Sequence, residues 1–169
     1  MLVASMNPSP SGELYTEDSN HPDSPIDVRR YLRKISGPPL YGIDLHIEVT
    51  PVSFDQMTAD RNAEKSHVIQ DRVFKAREIQ SDRFNEMSDV YSNAMMPAQM
   101  VKKICKTNEA GKTLLKTAME KLGLSARAYD RILKVSRTIA DLAGTEDIKI
   151  ENLAEAIQYR SLDREGWLG

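Results

Sequence analysis

The sequence predicts a mainly α protein in which a small α/β segment precedes a bundle of four or five helices. Only 6% of the 169 residues are aromatic and 28% are charged, a composition typical of helical proteins rather than β-sandwiches. The hydrophobic period changes along the chain: residues 43–49 alternate apolar and polar, whereas apolar residues recur every three or four positions after residue 63. We therefore divide the chain into a domain of residues 1–60 and a helical domain of residues 61–169.

Two strands and one helix are predicted in the N-terminal domain. Residues 1–6 form an apolar run that ends at Asn7 and Pro8, as expected of a strand followed by a loop. Pro25 suits the first turn of a helix that continues to about residue 35, before a Gly-Pro-Pro sequence. The alternation over residues 43–49 predicts a half-buried strand with His46 on its outward side.

Five helices are predicted in the C-terminal domain. Asn108 and Ser125 are favourable N-caps, and Gly123 is a favourable helix end. The expected helices cover residues 63–84, 97–105, 109–122, 125–143 and 151–160. The first should bury a stripe formed by Val68, Ile69, Val73, Ala76 and Ile79.

Charge and cysteine content exclude some classes of function. Residues 1–60 carry nine acids against four Lys and Arg, and residues 61–169 carry 16 acids against 19. This small basic excess does not by itself indicate nucleic-acid binding. The single cysteine, Cys105, excludes an internal disulfide and fits a reducing compartment. Because no apolar run approaches membrane-spanning length and no signal peptide is recognisable, we expect a cytoplasmic protein without a membrane partner.

A row of cations opens the helix after Ser125. Arg127, Arg131 and Lys134 recur at helical spacing, so like charges stack where the helix dipole already disfavours cations. An anion such as a nucleotide phosphate would supply the missing counter-charge. A solvated surface is the alternative explanation of the same pattern.

The same residues carry a resemblance to a known family. The sequence Gly-Leu-Ser-Ala-Arg-Ala-Tyr-Asp-Arg at 123–131, with residues 137–142 and 155–160, resembles the C-terminal helical domain of the magnesium-chelatase-like AAA+ ATPases, specifically the ComM/YifB group. Residues 2–8 resemble the family's strand that ends in sensor 1, and residues 30–38 and 43–49 resemble the helix and strand that follow. The resemblance implies a remnant of the AAA+ α/β core followed by a lid bundle.

The resemblance also implies roles for individual residues. Asn7 matches sensor 1, a catalytic residue that orients the attacking water, and Arg127 matches sensor 2, which reaches nucleotide phosphate from the lid. Arg131 is a weaker cofactor-binding candidate, as is Arg137. The implied cofactors of the intact parent module are ATP and Mg²⁺. The implied partners are family subunits in a ring, which in ComM-type members acts on DNA during recombination.

The 169 residues contain no glycine-rich phosphate loop and no strand-end acid of the kind that nucleotide hydrolysis needs. Gly111, Lys112 and Thr113 imitate the end of such a loop, but Lys106 stands where the pattern requires glycine, so we interpret Lys112 as a surface lysine. We therefore expect the chain to be inactive alone and to bind no nucleotide tightly. Whether it belongs to an active enzyme stays open.

Two further positions depart from the family pattern. Tyr41 and Gly42 replace an Asp-Arg pair whose arginine is a candidate trans-acting finger in related rings. Ser9 and Ser11 replace cysteines that could suit zinc, and with His21 as the nearby nitrogen ligand we expect no metal site.

Two alternative functions follow from the same residues. The chain could be a non-enzymatic interaction or regulatory protein that joins or blocks rings of a full-length relative. A magnesium chelatase subunit acting with a porphyrin is a further alternative, which the matches to the ComM/YifB group disfavour.

Overall fold

The computed structural model of the protein describes residues 2–12, 23–35, 42–50, 52, 54–58 and 63–160. Their helices are α1 (Pro25–Ile35), α2 (Phe54–Thr58), α3 (Ser66–Arg83), α4 (Ala98–Ile104), α5 (Glu109–Leu122), α6 (Ala126–Leu142) and α7 (Ile150–Gln158), with a 3₁₀ turn at Asn93–Met95. The prediction of a mainly helical protein with a C-terminal bundle is confirmed. None of the helices in this part of the chain combines the length and apolar character needed to cross a bilayer.

The two predicted strands are not formed within residues 2–12 and 42–50. Leu2 and Val3 are each 80% exposed, and Val49 is 82% exposed. A strand needs a neighbour to pair its backbone N–H and C=O groups, and the described residues contain no sheet that could supply one. The predicted core remnant therefore contributes helix α1 and extended segments.

Helix α6 lies at the centre of the bundle and contacts α3, α4, α7 and the 3₁₀ turn. Its Ile132, Leu133 and Ala140 are almost completely buried because they lie on one helical stripe. Other elements complete the core with Phe84, Met96, Val101, Leu115, Leu124, Ile148, Leu153 and Ala156.

The ends of α5 and α6 confirm the predicted caps. The Asn108 side chain accepts a hydrogen bond from the Gly111 N–H at 2.9 Å. Gly123 adopts a left-handed conformation with φ 61°, which suits a residue without Cβ. The Ser125 hydroxyl accepts from the Ala128 N–H at 3.3 Å, so the start of α6 is fixed by a cap two residues before Arg127.

The predicted buried stripe of α3 is wrong in its first half. Ala76 is buried, and Ile79 is partly buried. Val68, Ile69 and Val73 are instead 42–43% exposed. The stripe has the spacing of a packed face, but no described element covers the first half of the helix.

Candidate functional site: the start of helix α6

Arg127 occupies the first turn of α6, directly after the Ser125 cap. Its side chain is exposed and makes no hydrogen bond or ion pair with any described residue. The first turn of α6 also contains no acid. The positive end of the helix dipole and the Arg127 guanidinium therefore face solvent together, an arrangement that favours an anion.

Arg131 lies one turn further along α6 and is already engaged. Its Nη1 is 3.3 Å from Oδ1 of Asp44. The same nitrogen donates to the carbonyl of Ile43 at 3.3 Å. The structure thus separates the two predicted cofactor-binding residues: Arg127 is available to an added anion, whereas Arg131 is neutralised by an acid of the same chain.

The segment that contains Asp44 has two further anchors near the end of α7. Arg160, which is 1% exposed, donates to the carbonyls of Ile43 and Asp44. The backbone N–H of His46 donates to the Tyr159 carbonyl at 2.8 Å. Residues 43–46 are therefore held both by α6 and by the residues at the end of α7.

The predicted outward position of His46 is wrong, since its side chain is only 6% exposed. The apolar residues Leu45 and Ile47 are exposed by 46% and 68%, and the acids Asp44 and Glu48 are exposed as well. The predicted apolar face is therefore not buried, and the segment is attached through its backbone to Arg160 and Tyr159.

Asn7 is exposed and follows an extended segment. Its backbone carbonyl accepts a hydrogen bond from the Tyr31 hydroxyl at 3.2 Å, which joins it to α1. Among the described residues, its side-chain amide has no hydrogen bond, and no polar contact joins Asn7 to Arg127 or Arg131. The sensor 1 role of Asn7 stays a prediction.

Ser9 and Ser11 lie in a hydrogen-bonded turn. The N–H and hydroxyl of Ser11 donate to Asp23 at 2.9 and 2.6 Å. The Ser9 hydroxyl accepts from the Gly12 N–H at 3.1 Å. His21 and Tyr41 lie outside the described residues. In the ranges that are described, no group of three or more His, Cys, Asp or Glu could hold a metal ion.

A buried polar cluster behind α6 was not predicted. Asp141, which is 1% exposed, accepts both nitrogens of the Arg83 fork at 2.8 and 2.5 Å. It also accepts from Arg137 at 3.1 Å and from Asn93 at 2.7 Å. Arg137, a weak anion-site candidate in the sequence, is 3% exposed and therefore structural. The i, i+4 spacing of Arg137 and Asp141 was the one local signal of this cluster.

The structure favours no reactive role for two other side chains, those of Cys105 and Lys112. Burial raises the pKa of Cys105 to about 11, although Arg137 and Arg83 oppose the shift, so its thiol stays protonated and unreactive. Lys112 is exposed on α5, with its ammonium 2.7 Å from Glu109. This hydrogen bond raises the pKa of Lys112, and the interpretation of Lys112 as a surface lysine is confirmed.

The described residues from 63 to 160 form a helical bundle, and the same range matches a known family. The family described as magnesium chelatase, subunit ChlI C-terminal, matches residues 63–160. The family described as magnesium chelatase, subunit ChlI, matches residues 1–57. The chain belongs to this magnesium-chelatase ChlI-type family.

Within this family the chain is similar to proteins of the predicted ComM/YifB group. It is 46% identical to the competence protein ComM of Haemophilus influenzae over 165 residues, which is 96% of this chain. Over the same share of the chain it is 36% identical to YifB of Escherichia coli and 34% identical to YifB of Salmonella typhimurium. The chain spans 31% of the length of each of these relatives.

Proposed function

We propose that this chain is the lid-bearing C-terminal portion of an AAA+ ATP-binding protein of ComM/YifB type. It supplies sensor 1, sensor 2 and the lid to a cytoplasmic ring ATPase that acts on DNA, and it is inactive alone. The observation that carries the proposal is the exposed, unpaired guanidinium of Arg127 among the described residues, at the capped start of α6 in a chain of this family.

The chemistry of Arg127 fits a nucleotide phosphate. A guanidinium presents a planar fork of donors that matches two phosphate oxygens, and it stays charged at any physiological pH. The Ser125 cap fixes the first turn, so the side chain extends from a defined point. Arg127 would therefore neutralise phosphate charge from the lid side of a bound nucleotide.

One such contact cannot hold ATP alone. A hydrogen bond to a charged group contributes about 1.5–3 kcal/mol, whereas millimolar affinity already requires about 4 kcal/mol. The described residues also offer Mg²⁺ no cluster of carboxylates. The phosphate loop and the magnesium ligands must therefore come from the remainder of an AAA+ module, and the residues present fit only the phosphate.

Asn7 fits its proposed role through its exposure. The side-chain amide can both donate to and accept from a water molecule, and no described residue competes for it. The Tyr31 hydroxyl holds the Asn7 backbone. In the complete module, Asn7 would orient the attacking water while Arg127 binds phosphate.

The test is titration calorimetry with ATP and magnesium on the 169-residue chain, first alone and then mixed with full-length Haemophilus ComM. We expect no binding by the chain alone and a change in the ATP affinity or assembly of ComM in the mixture. The variant Arg127→Ala should weaken that effect by roughly 10- to 100-fold in affinity. Arg77→Ala, which removes an exposed arginine of α3, is the matched control and should leave it unchanged.

Two outcomes would contradict the proposal. Tight ATP binding by the chain alone would mean that it contains a complete nucleotide site. An effect on ComM that persists unchanged in Arg127→Ala would exclude the sensor 2 role.

A second candidate function is a non-enzymatic protein that joins or blocks rings of a full-length relative. It is favoured by the exposed apolar residues in the first half of α3, among them Val73 at 43% and Phe74 at 58%, since exposed apolar patches mark interaction sites. In that case Val73→Asp should abolish binding to ComM whereas Arg127→Ala should not.

A further inference from the structure

We propose that Arg131 and Arg160 are positioning residues that fix residues 43–46 against the lid and thereby set the position of Arg127. We call their contacts with Ile43 and Asp44 the latch. The inference rests on the proposed function, because it is the phosphate-binding role of Arg127 that gives the latch its purpose.

The two arginines approach the same atom from different elements. Arg131 belongs to the second turn of α6, and Arg160 follows the end of α7. Both donate to the carbonyl oxygen of Ile43. Since α6 and α7 pack on one another, this oxygen joins the preceding part of the chain to both helices at once.

Charge and burial strengthen the latch. Hydrogen bonds from a guanidinium are stronger than those between neutral groups. The side chain of Arg131 is 26% exposed and also pairs with the Asp44 carboxylate at 3.3 Å. Arg160 is almost completely buried. A backbone hydrogen bond from the His46 N–H to the Tyr159 carbonyl joins the same segment to the end of α7.

The latch lies one helical turn from Arg127. Residues at i and i+4 share a face of a helix, so Arg127 and Arg131 point to the same side of α6, one exposed and one anchored. Because the helix is rigid over one turn, residues 43–46 are held at a fixed place relative to the backbone of Arg127.

This geometry changes the role predicted for Arg131. To bind phosphate it would have to leave both the Asp44 carboxylate and the Ile43 carbonyl. The Asp44 carboxylate already supplies the negative charge that a phosphate would bring. Arg131 therefore acts through Arg127 and not on the nucleotide.

Hydrogen exchange of the His46 amide tests the latch in the full 169-residue chain without nucleotide. Removing a partly exposed ion pair should speed local exchange by about 2- to 5-fold, so Arg131→Ala should accelerate exchange at His46. Exchange at Ile132 and Leu133 in α6 should not change. The matched control Arg127→Ala, one turn earlier, should leave His46 unchanged.

Conservative variants separate a latch from a general loss of stability. Asp44→Asn should accelerate exchange at His46, whereas Asp44→Glu should restore it by keeping the carboxylate. Arg160→Lys, which retains the buried charge, should also accelerate exchange at His46. A uniform rise across α6, or an unchanged His46 amide in Arg131→Ala, would overturn the proposal.

Titration calorimetry with ATP and ComM tests the positioning role of Arg131 independently. In the mixture with ComM, the chain is expected to change the ATP affinity or assembly of ComM. Arg131→Ala should reduce this change less than Arg127→Ala does, because it disturbs the position of Arg127 without removing a phosphate ligand. A loss in Arg131→Ala equal to or larger than that in Arg127→Ala would make Arg131 a ligand and refute the positioning role. Failure of Arg127→Ala to act would instead refute the proposed function, whatever the exchange at His46.

Discussion

At the scale of single residues, stability depends most on Asp141. Its carboxylate lies between the guanidinium groups of Arg83 and Arg137 and also accepts from Asn93. Arg137 donates in addition to the Thr145 carbonyl at 2.6 Å. A buried ionic cluster is favourable only when its hydrogen bonds are satisfied, and removing one member leaves uncompensated charge.

Asp141→Asn should therefore be strongly destabilising. Two buried or half-buried arginines would lose their shared carboxylate, and we expect the free energy of unfolding to fall by about 3–5 kcal/mol. Urea unfolding followed by circular dichroism measures the change. Asp147→Asn, at an exposed acid six residues further along the chain, is the control, and equal unfolding midpoints for the two variants would contradict the argument.

The Cys105 thiol predicts a pH dependence of stability. Burial raises its folded-state pKa to about 11 from 9.0, so the folded state retains the proton more strongly than the unfolded state. The stabilisation is complete below pH 9 and is lost as the pH rises toward 11, by roughly 3 kcal/mol in total. The difference in unfolding free energy between the natural chain and Cys105→Ala should shrink over this range, and a flat difference would argue against it.

At the scale of elements, α5 and α7 approach closely at Gly111. A Cβ at this position would lie 2.8 Å from Cδ1 of Leu153 and 3.1 Å from Cβ of Thr107. Leu153 is completely buried and has little room to move. The contact between these helices therefore depends on the absence of a side chain.

Gly111→Ala should destabilise the protein, although replacing glycine by alanine within a helix usually stabilises. In an unobstructed helix the change stabilises by about 1 kcal/mol, but overpacking a core costs about 1–3 kcal/mol. We expect a net loss of up to about 2 kcal/mol in thermal or urea unfolding. Ala110→Gly, at the exposed preceding position, should show only the cost of helix propensity. A Gly111→Ala variant more stable than the natural chain would exclude close packing here.

At the scale of the whole molecule, the core lies in the C-terminal part of the chain, and several of the most exposed apolar residues lie in the N-terminal part. The buried cluster falls between Phe84 and Ala156. Leu2, Val3, Ile47 and Val49 are 68–82% exposed. These four apolar residues therefore contribute little burial to the fold.

Native-state hydrogen exchange should show this division directly. Amides of α6 and α7 should approach the protection expected from global unfolding, and amides of residues 2–7 should exchange far faster because no described residue accepts from them in a ladder. Similar strong protection in both parts would mean that residues 2–7 are as firmly held as the bundle.

Local chemistry explains what the sequence predicted well. Asn108, Gly123 and Ser125 act within one turn of their own helix ends, so the limits of α5 and α6 could be read from the sequence. The exposed position of Arg127 follows from the same cap. Family membership, which many residues carry together, was also predictable.

Features that depend on distant neighbours were not predictable. The alternation over residues 43–49 predicts a half-buried strand, but His46 alone among these residues is buried, and the segment is held by Arg160, far away in sequence. The partner of Arg131 is Asp44, on another segment. The exposed first half of α3 likewise has the pattern of a buried helix, because periodicity records suitability for packing and not the presence of a neighbour.

The carbonyl oxygen of Ile43 accepts two hydrogen bonds, and these restrict how another strand could pair with this segment. A carbonyl oxygen has two lone pairs, and here Arg131 and Arg160 each donate to it. The His46 N–H is also occupied, by Tyr159. A neighbouring strand could therefore pair with residues 43–49 only through the backbone groups that these contacts leave free.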